Sequence, residues 1–233
     1  MSYWWLIAFC FGSYLVGNIN FSVIISKVVL KNDIRTKGSG NPGASNMLRN
    51  FGFKWGLIIL ILDMLKGALP AVIGWAAYGS GYNFNPLEPV TTGSGQIAMY
   101  ACGFWAVIGH CFPFWTCQII DGKRIWAPFH GGKGVSTIVG IFVVTNPAIG
   151  FGGLFLGLFL GYFLEYPSVS SIVFVTLAVL WECFVRSPGV TVSIMLIIFY
   201  FFAWYTHRAN IYRLLCGNEK RAKLFSRSKK SKA

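Results

Sequence analysis

Three short polar stretches carry the side chains that could do chemistry. The first, residues 38–49, reads Gly-Ser-Gly-Asn-Pro-Gly-Ala-Ser-Asn-Met-Leu-Arg and lies between two long apolar runs. Ser39, Asn41, Ser45 and Asn46 offer neutral donors, Arg49 offers a planar fork of charged ones, and the glycines let a ligand approach the main chain. That donor set suits a phosphate. A flexible linker is the plainer reading, but a linker needs neither the arginine nor the two asparagines. The second stretch, residues 130–137, is His-Gly-Gly-Lys-Gly-Val-Ser-Thr. An apolar helix begins directly after it, so main-chain N–H groups and the helix dipole would face an anion beside Lys133, Ser136 and Thr137. It is not a nucleotide P-loop, because Pro128 stands where that motif needs glycine and Gly134 where it needs Ser or Thr. On its own it reads equally as a snorkelling lysine with packing glycines. The third, residues 207–219, places His207, Asn210 and Arg213 at i,i+3 spacing, one polar face if the helix before them persists. A basic juxtamembrane anchor explains the arginines there, and His207 and Asn210 less well.

The elements that must position these stretches are membrane helices. The chain is 55% hydrophobic and 12% charged over 233 residues, where a soluble domain carries about 25% charged residues. Apolar runs of bilayer-spanning length recur, and the alternation of a β-barrel is absent. The expected fold is therefore all-α: a polytopic integral membrane protein of about seven transmembrane helices, one of them a short helix after the Gly-Gly-Lys-Gly loop. The expected spans are 3–29, 55–78, 96–115, 135–145, 148–164, 170–185 and 190–206, with the first retained as a membrane helix rather than cleaved. Asn146-Pro147 divides a run too long for one crossing, and seven crossings then put every strongly basic segment on one side. One domain is expected over 1–219, followed by a basic cytoplasmic tail, 220–233.

The net charge of +13 is distributed accordingly. Basic residues gather between Lys27 and Lys54, between Lys123 and Lys133, and from Arg208 onward, while the loop around residues 79–95 has only Glu88. This is the positive-inside asymmetry, and it points to anionic lipid rather than nucleic acid. The six cysteines are scattered without a Cys-x-x-Cys pair, so no disulfide framework or metal site is expected. No carboxylate cluster accompanies the polar stretches, and a hard divalent cation would need one. Asp63 and Lys66 share a helix face inside an apolar run. Such charges are functional suspects, read here first as a structural ion pair.

Taken together the motifs resemble one family. Residues 38–49, Asp-x-x-Lys-Gly at 63–67, Gly-His-x-x-Pro at 109–113, Gly-Gly-Lys-Gly-Val-Ser-Thr at 131–137 and His-Arg-x-Asn-Ile-x-Arg-Leu-Leu-x-Gly-x-Glu at 207–219 occur in order. They are similar to the bacterial membrane acyl-phosphate:glycerol-3-phosphate acyltransferases over nearly the whole chain. The resemblance implies transfer of a fatty acyl group from acyl phosphate to the 1-hydroxyl of glycerol 3-phosphate, giving lysophosphatidic acid and phosphate without a cofactor or metal. It implies a site at the cytoplasmic face of the bacterial inner membrane and an upstream enzyme that forms the acyl phosphate. Carried over by position, Ser39 and Arg49 would contact one phosphate. Ser45, Asn46, Gly131, Gly132, Lys133, Gly134, Ser136 and Thr137 would hold the other. Asn41, His110 and Ser171 would line the substrate pocket, and His207, Asn210 and Lys133 would serve catalysis. Asp63, Lys66, Arg213 and Glu219 would be structural. The chain departs from the family pattern at Ser45, Ser136, His130 and Glu165, and in a longer 113–131 link. His207 is the well-placed classical base; a substrate phosphate oxygen is the other possible proton acceptor.

Two other classes were weighed against this one. A transporter of organic phosphate would show polar residues at mid-membrane and an inverted repeat, and the sequence shows neither. The soluble-type acyltransferase signature needs Asp five residues after His, where this chain has Trp115, Val135 and Tyr212 after its three histidines.

Overall fold

The computed structural model describes residues 3–79, 93–120, 123–126, 130–219 and 221. Most of the expected outer loop and almost all of the basic tail, 220–233, lie outside the described residues. The chain is a helical membrane protein. Five stretches among the described residues are long and apolar enough to cross a bilayer: Trp4–Val28, Phe53–Tyr78, Pro147–Leu164, Pro167–Arg186 and Val190–Leu215. The elements run α1 (Tyr3–Gly17), α2 (Phe21–Val28), a 3-10 turn (Ile34–Thr36), α3 (Ala44–Phe51), α4 (Phe53–Tyr78) and α5 (Ser94–Cys111), then β1 (Cys117–Ile120), β2 (Lys123–Trp126), α6 (Val135–Thr145), α7 (Pro147–Leu164), α8 (Pro167–Trp181), a π-helical turn (Glu182–Arg186) and α9 (Val190–Leu215).

Helix α4 is the central member, packed against α3, α5 and α6. Its crossing with α6 depends on two glycines. A Cβ on Gly67 would collide with the Thr137 carbonyl, and one on Gly140 with the Met64 carbonyl. Small residues of this kind let membrane helices approach without a water-driven hydrophobic effect. A second pair, Gly17 against Ala106 and Gly109 against Tyr14, joins α1 to α5. The apolar core lies among α5, α6, α8 and α9, where Tyr100, Ile138, Phe142, Phe174, Leu196 and Phe199 are buried together. Helix α7 stands to one side with Phe155 and Phe163 exposed, as a lipid-facing helix does.

Three local features differ from the sequence reading. The first expected span is broken between α1 and α2. Asn18 accepts from Phe114 N through its Oδ1 at 3.0 Å, and Asn20 caps α2 by accepting from Val23 N at 3.1 Å. Asn20 thus satisfies a first-turn N–H that an unbroken helix would not have exposed, and Asn18 ties the break to the chain after α5. Part of the 38–49 stretch is helical, as α3, despite a composition that favours turns. The long 113–131 link contains a two-stranded antiparallel hairpin, with Cys117 opposite Trp126 and Ile120 opposite Lys123, where only a turn signal at 121–124 was expected. The last helix, by contrast, continues well beyond residue 206, so His207, Asn210 and Arg213 do share a helix.

Candidate active site

One cavity draws residues from all three polar stretches. Its walls include Ser39, Asn41, Ser45, Asn46 and Arg49 from the first, Lys133, Gly134 and Ser136 from the second, and His207 and Asn210 from the third, with His110 from the end of α5 and Ser171 from α8. Three helices begin at this cavity. α3 presents Ala44 and Ser45, α6 presents Gly134 and Val135, and α8 presents Pro167 and Ser168. The first-turn N–H groups of a helix lack intrahelical acceptors and carry the positive end of its dipole, which favours anions at α3 and α6; α8 opens on Pro167, which has no N–H, and on Ser168, which Glu219 engages. Gly134 caps α6 at φ +82°, a backbone setting that a glycine adopts without strain.

The cationic groups are held in place by others. Thr206 Oγ1 donates to the Lys133 carbonyl at 3.1 Å, which ties the Lys133 loop to α9 one residue from His207. Burial pushes the Lys133 ammonium down to about 8; Glu219 opposes the shift, and the charges of Arg213 and Arg49 add to it. Burial likewise lowers Arg49, with Glu219 opposing, and an arginine stays charged regardless. The Arg49 Nε is buried without a hydrogen-bond partner. A buried charged donor of this kind needs an acceptor, and a bound phosphate supplies one.

His207 is buried, and its Nδ1 sits 2.8 Å from the Ala203 carbonyl. That contact assigns the proton to Nδ1 and leaves Nε2 as the acceptor nitrogen of the neutral ring. Asn210 donates to Glu219 Oε1 at 2.5 Å, Ser168 donates to the same oxygen at 3.3 Å, and Arg213 donates to Oε2 at 2.8 Å. Glu219 therefore clasps the end of α9 to the start of α8. Burial alone would raise its carboxyl, but these bonds and the charges of Arg213 and Lys133 hold it below its ordinary value.

Some expected ligands are engaged elsewhere. Both ends of the Asn46 amide are occupied: Oδ1 accepts from Ser39 N at 3.2 Å and Asn50 Nδ2 at 3.0 Å, while Nδ2 donates to Lys37 O at 3.0 Å. Asn46 lines the cavity yet shapes the loop that carries Ser39. Gly131 N donates to Cys111 O at 2.9 Å and Gly132 N to His110 O at 3.1 Å. A Cβ on Gly132 would collide with the His110 ring. These two glycines lie outside the cavity wall and dock the loop on the end of α5, so of that loop Lys133, Gly134 and Ser136 reach the cavity. Thr137 is fully buried beneath Gly67, away from the wall. Asp63 reaches the wall, and Lys66, 2.8 Å from Asp63, donates to the Ile19 carbonyl at 3.0 Å. The pair holds α4 against the α1–α2 break rather than against the loop ahead of α4.

Sequence reasoning missed Ser168, Thr206 and the apolar side of the cavity. That side is formed by Leu57 and Leu60 of α4, Leu154 and Leu158 of α7, and Phe174 of α8. Gly153, Gly157 and Gly161 give α7 a small-residue stripe there, and their spacing of four was readable in the sequence. No group of three or more His, Cys, Asp or Glu side chains placed to hold a metal occurs among the described residues.

Fold and site together define an integral membrane protein whose cavity sets cationic side chains and helix N-termini beside an apolar wall. The comparisons with known proteins narrow that class. The family model described as glycerol-3-phosphate acyltransferase matches residues 7–217. The glycerol-3-phosphate acyltransferase of Finegoldia magna is 32% identical, over 94% of this chain and 97% of its own. That of Halalkalibacterium halodurans is 34% identical, over 92% and 93%. The crystal structure of PlsY (YgiH), an integral membrane glycerol 3-phosphate acyltransferase, in its glycerol 3-phosphate form superposes with a TM-score of 0.73 at 31% identity, covering 93% of this chain and 94% of that one. Its lysophosphatidic acid form gives 0.70 at 30% identity. The chain belongs to the glycerol-3-phosphate acyltransferase family, the membrane acyltransferases of phospholipid synthesis.

Proposed function

We propose that this enzyme takes its acyl group from acyl phosphate and transfers it to the 1-hydroxyl of glycerol 3-phosphate, giving lysophosphatidic acid and inorganic phosphate. The observation that carries this reading is the cavity itself, in which the N-termini of α3 and α6, Arg49 and Lys133 face an apolar wall. Two phosphate-bearing substrates need that density of donors, and an acyl chain needs that wall. Arg49 and Ser39 hold one phosphate. Lys133 with the N-terminus of α6 and Ser45 with that of α3 hold the other. The acyl chain lies along Leu57, Leu60, Leu154 and Leu158.

Acyl phosphate is already activated, so the alcohol attacks the carbonyl carbon directly, the carbon–oxygen bond to phosphate breaks, and phosphate leaves with that bond's electron pair. The hydroxyl proton goes to His207 Nε2, the nitrogen its Ala203 contact leaves open. Transfer to a substrate phosphate oxygen, with His207 orienting, is the alternative that its pH profile separates. The basic segments around the cavity set that face toward the cytoplasm of a bacterial inner membrane. Counting α5 and α6 as crossings, the domain over 1–219 spans the membrane seven times with the tail 220–233 on the cavity side. An enzyme that forms acyl phosphate must supply the donor.

The test is purified protein given acyl phosphate, acyl-CoA or acyl carrier protein thioester with glycerol 3-phosphate, following lysophosphatidic acid. Acyl phosphate should support turnover well above the thioesters. Faster turnover with a thioester would reject the donor assignment.

A further inference from the structure

A second cavity shares no lining residue with the first. Ile19, Val23 and Ile24 form one wall, Trp115 another, and Lys27 and Arg35 sit at its polar rim. The rim is a built arrangement. Arg35 donates through Nε to Asp33 Oδ1 at 3.0 Å and through Nη2 to Asp33 Oδ2 at 2.7 Å, and Lys27 Nζ lies 3.3 Å from Asp33 Oδ2. Burial would raise the Asp33 carboxyl, but its bonds to Arg35, with those of Lys27, outweigh that and hold it at about 2, so it is ionised. Among the described residues the rim holds two cations and one carboxylate. Lys27 keeps 30% of its side chain exposed and can reach outward. The floor is fixed as well, because the Ile19 carbonyl is bonded to Lys66 at 3.0 Å.

This groove is absorbed by no step of the acyl transfer. Its lining joins apolar Ile19, Val23, Ile24 and Trp115 and polar Asn20 and Thr116 to the cationic Lys27 and Arg35. Ile24 and Trp115, 47% exposed each, flank it where an interfacial aromatic belongs. A soluble phosphate would use the rim and leave the apolar wall bare. An anionic phospholipid uses both, laying its acyl chain on Ile19, Val23 and Ile24 and its headgroup phosphate against Lys27. We propose that this groove is a binding site for one anionic phospholipid of the surrounding leaflet, separate from the substrate cavity.

The test uses the full chain, purified from bilayers holding phosphatidylglycerol and phosphatidylcholine in equal parts, with bound lipid read by native mass spectrometry. One phosphatidylglycerol should be retained in preference to phosphatidylcholine. Lys27→Gln removes the partly exposed cation of the rim and should weaken that retention about fivefold. Lys27→Arg should restore it, and Lys54→Gln, a nearby lysine outside the groove, should leave it unchanged. Loss in Lys27→Gln with recovery in Lys27→Arg also assigns the signal to this groove rather than to the substrate cavity. Equal retention of the two lipids, indifference to Lys27→Gln, or displacement of the lipid by inorganic phosphate would overturn the proposal.

Discussion

The two ends of α8 bury charge in opposite ways. At its far end Glu182 and Arg186 are fully buried, 4.0 Å apart, and Asn146 donates to Glu182 Oε1 at 2.5 Å. Among the described residues that cluster sets one acid beside one base, with Asn146 as a neutral donor. At the near end the carboxylates of the cavity are already engaged, Asp63 with Lys66 and Glu219 with Arg213 and Asn210. Arg49 and Lys133 are thereby left as surplus cations. About fifteen residues of helix separate the ends, roughly 22 Å. A buried ion pair of matched charge serves the fold without a ligand. An unbalanced set that lines a cavity favours a ligand of the opposite sign, here an anion.

The comparison is broken most severely at His207. His207→Ala should lower turnover roughly 10²–10⁴-fold and abolish the acidic limb of the pH–rate profile if Nε2 takes the proton. If a phosphate oxygen takes it, the limb should remain and the loss should fall mainly on KM. The balanced end responds differently. Glu182→Ala leaves Arg186 buried without its carboxylate and should cost roughly 3–5 kcal/mol of stability, read by unfolding in detergent, while the KM of the folded fraction stays near wild type. Replacing both, Glu182→Leu with Arg186→Met, should recover most of that stability. A smaller effect is expected at Arg49. Arg49→Lys keeps the charge but loses the fork, and should reduce kcat/KM about ten- to hundredfold, equivalent to about 1.5–3 kcal/mol, with little change in stability.

The smallest effect is one of pH. Lys133, lowered to about 8 by burial, is charged below that pH and neutral above it. Substrate phosphate prefers the charged form, so kcat/KM should fall as pH rises through about 8, and Lys133→Arg should push that alkaline limb out of range. The same shift acts on stability with the opposite sign. The unfolded chain holds this proton up to the ordinary lysine value, so stability should rise with pH from about 8 toward that value. Function and stability thus pull against each other at Lys133, as expected where a site is organised for a ligand.

How much of this was legible in the sequence depended on the local signal. The span at Val135–Thr145 and its division from α7 at Asn146-Pro147 were readable, because Gly134 and Pro147 punctuate the chain there. The break at Asn18–Asn20 was not, since apolar residues continue through it and the two asparagines act as caps only in three dimensions. α3 was hidden by glycine, serine and asparagine, whose intrinsic preferences oppose a helix that tertiary packing of Met47 imposes. In the site, residue type pointed to the right stretches but not to the partners. Asn46, Gly131 and Gly132 have donors suited to phosphate, yet the fold uses those donors to hold loops that place Ser39 and Lys133. Spacing alone does not reveal which donors are already engaged.

The central claim is that Arg49 and His207 act on one acyl-phosphate-dependent reaction in this cavity. Single-turnover phosphate release from acyl phosphate and glycerol 3-phosphate, measured side by side for wild type, Arg49→Lys and His207→Ala, tests it most directly. Both variants should be impaired by at least about tenfold, with the release still dependent on glycerol 3-phosphate. Near-normal release in both would contradict the account.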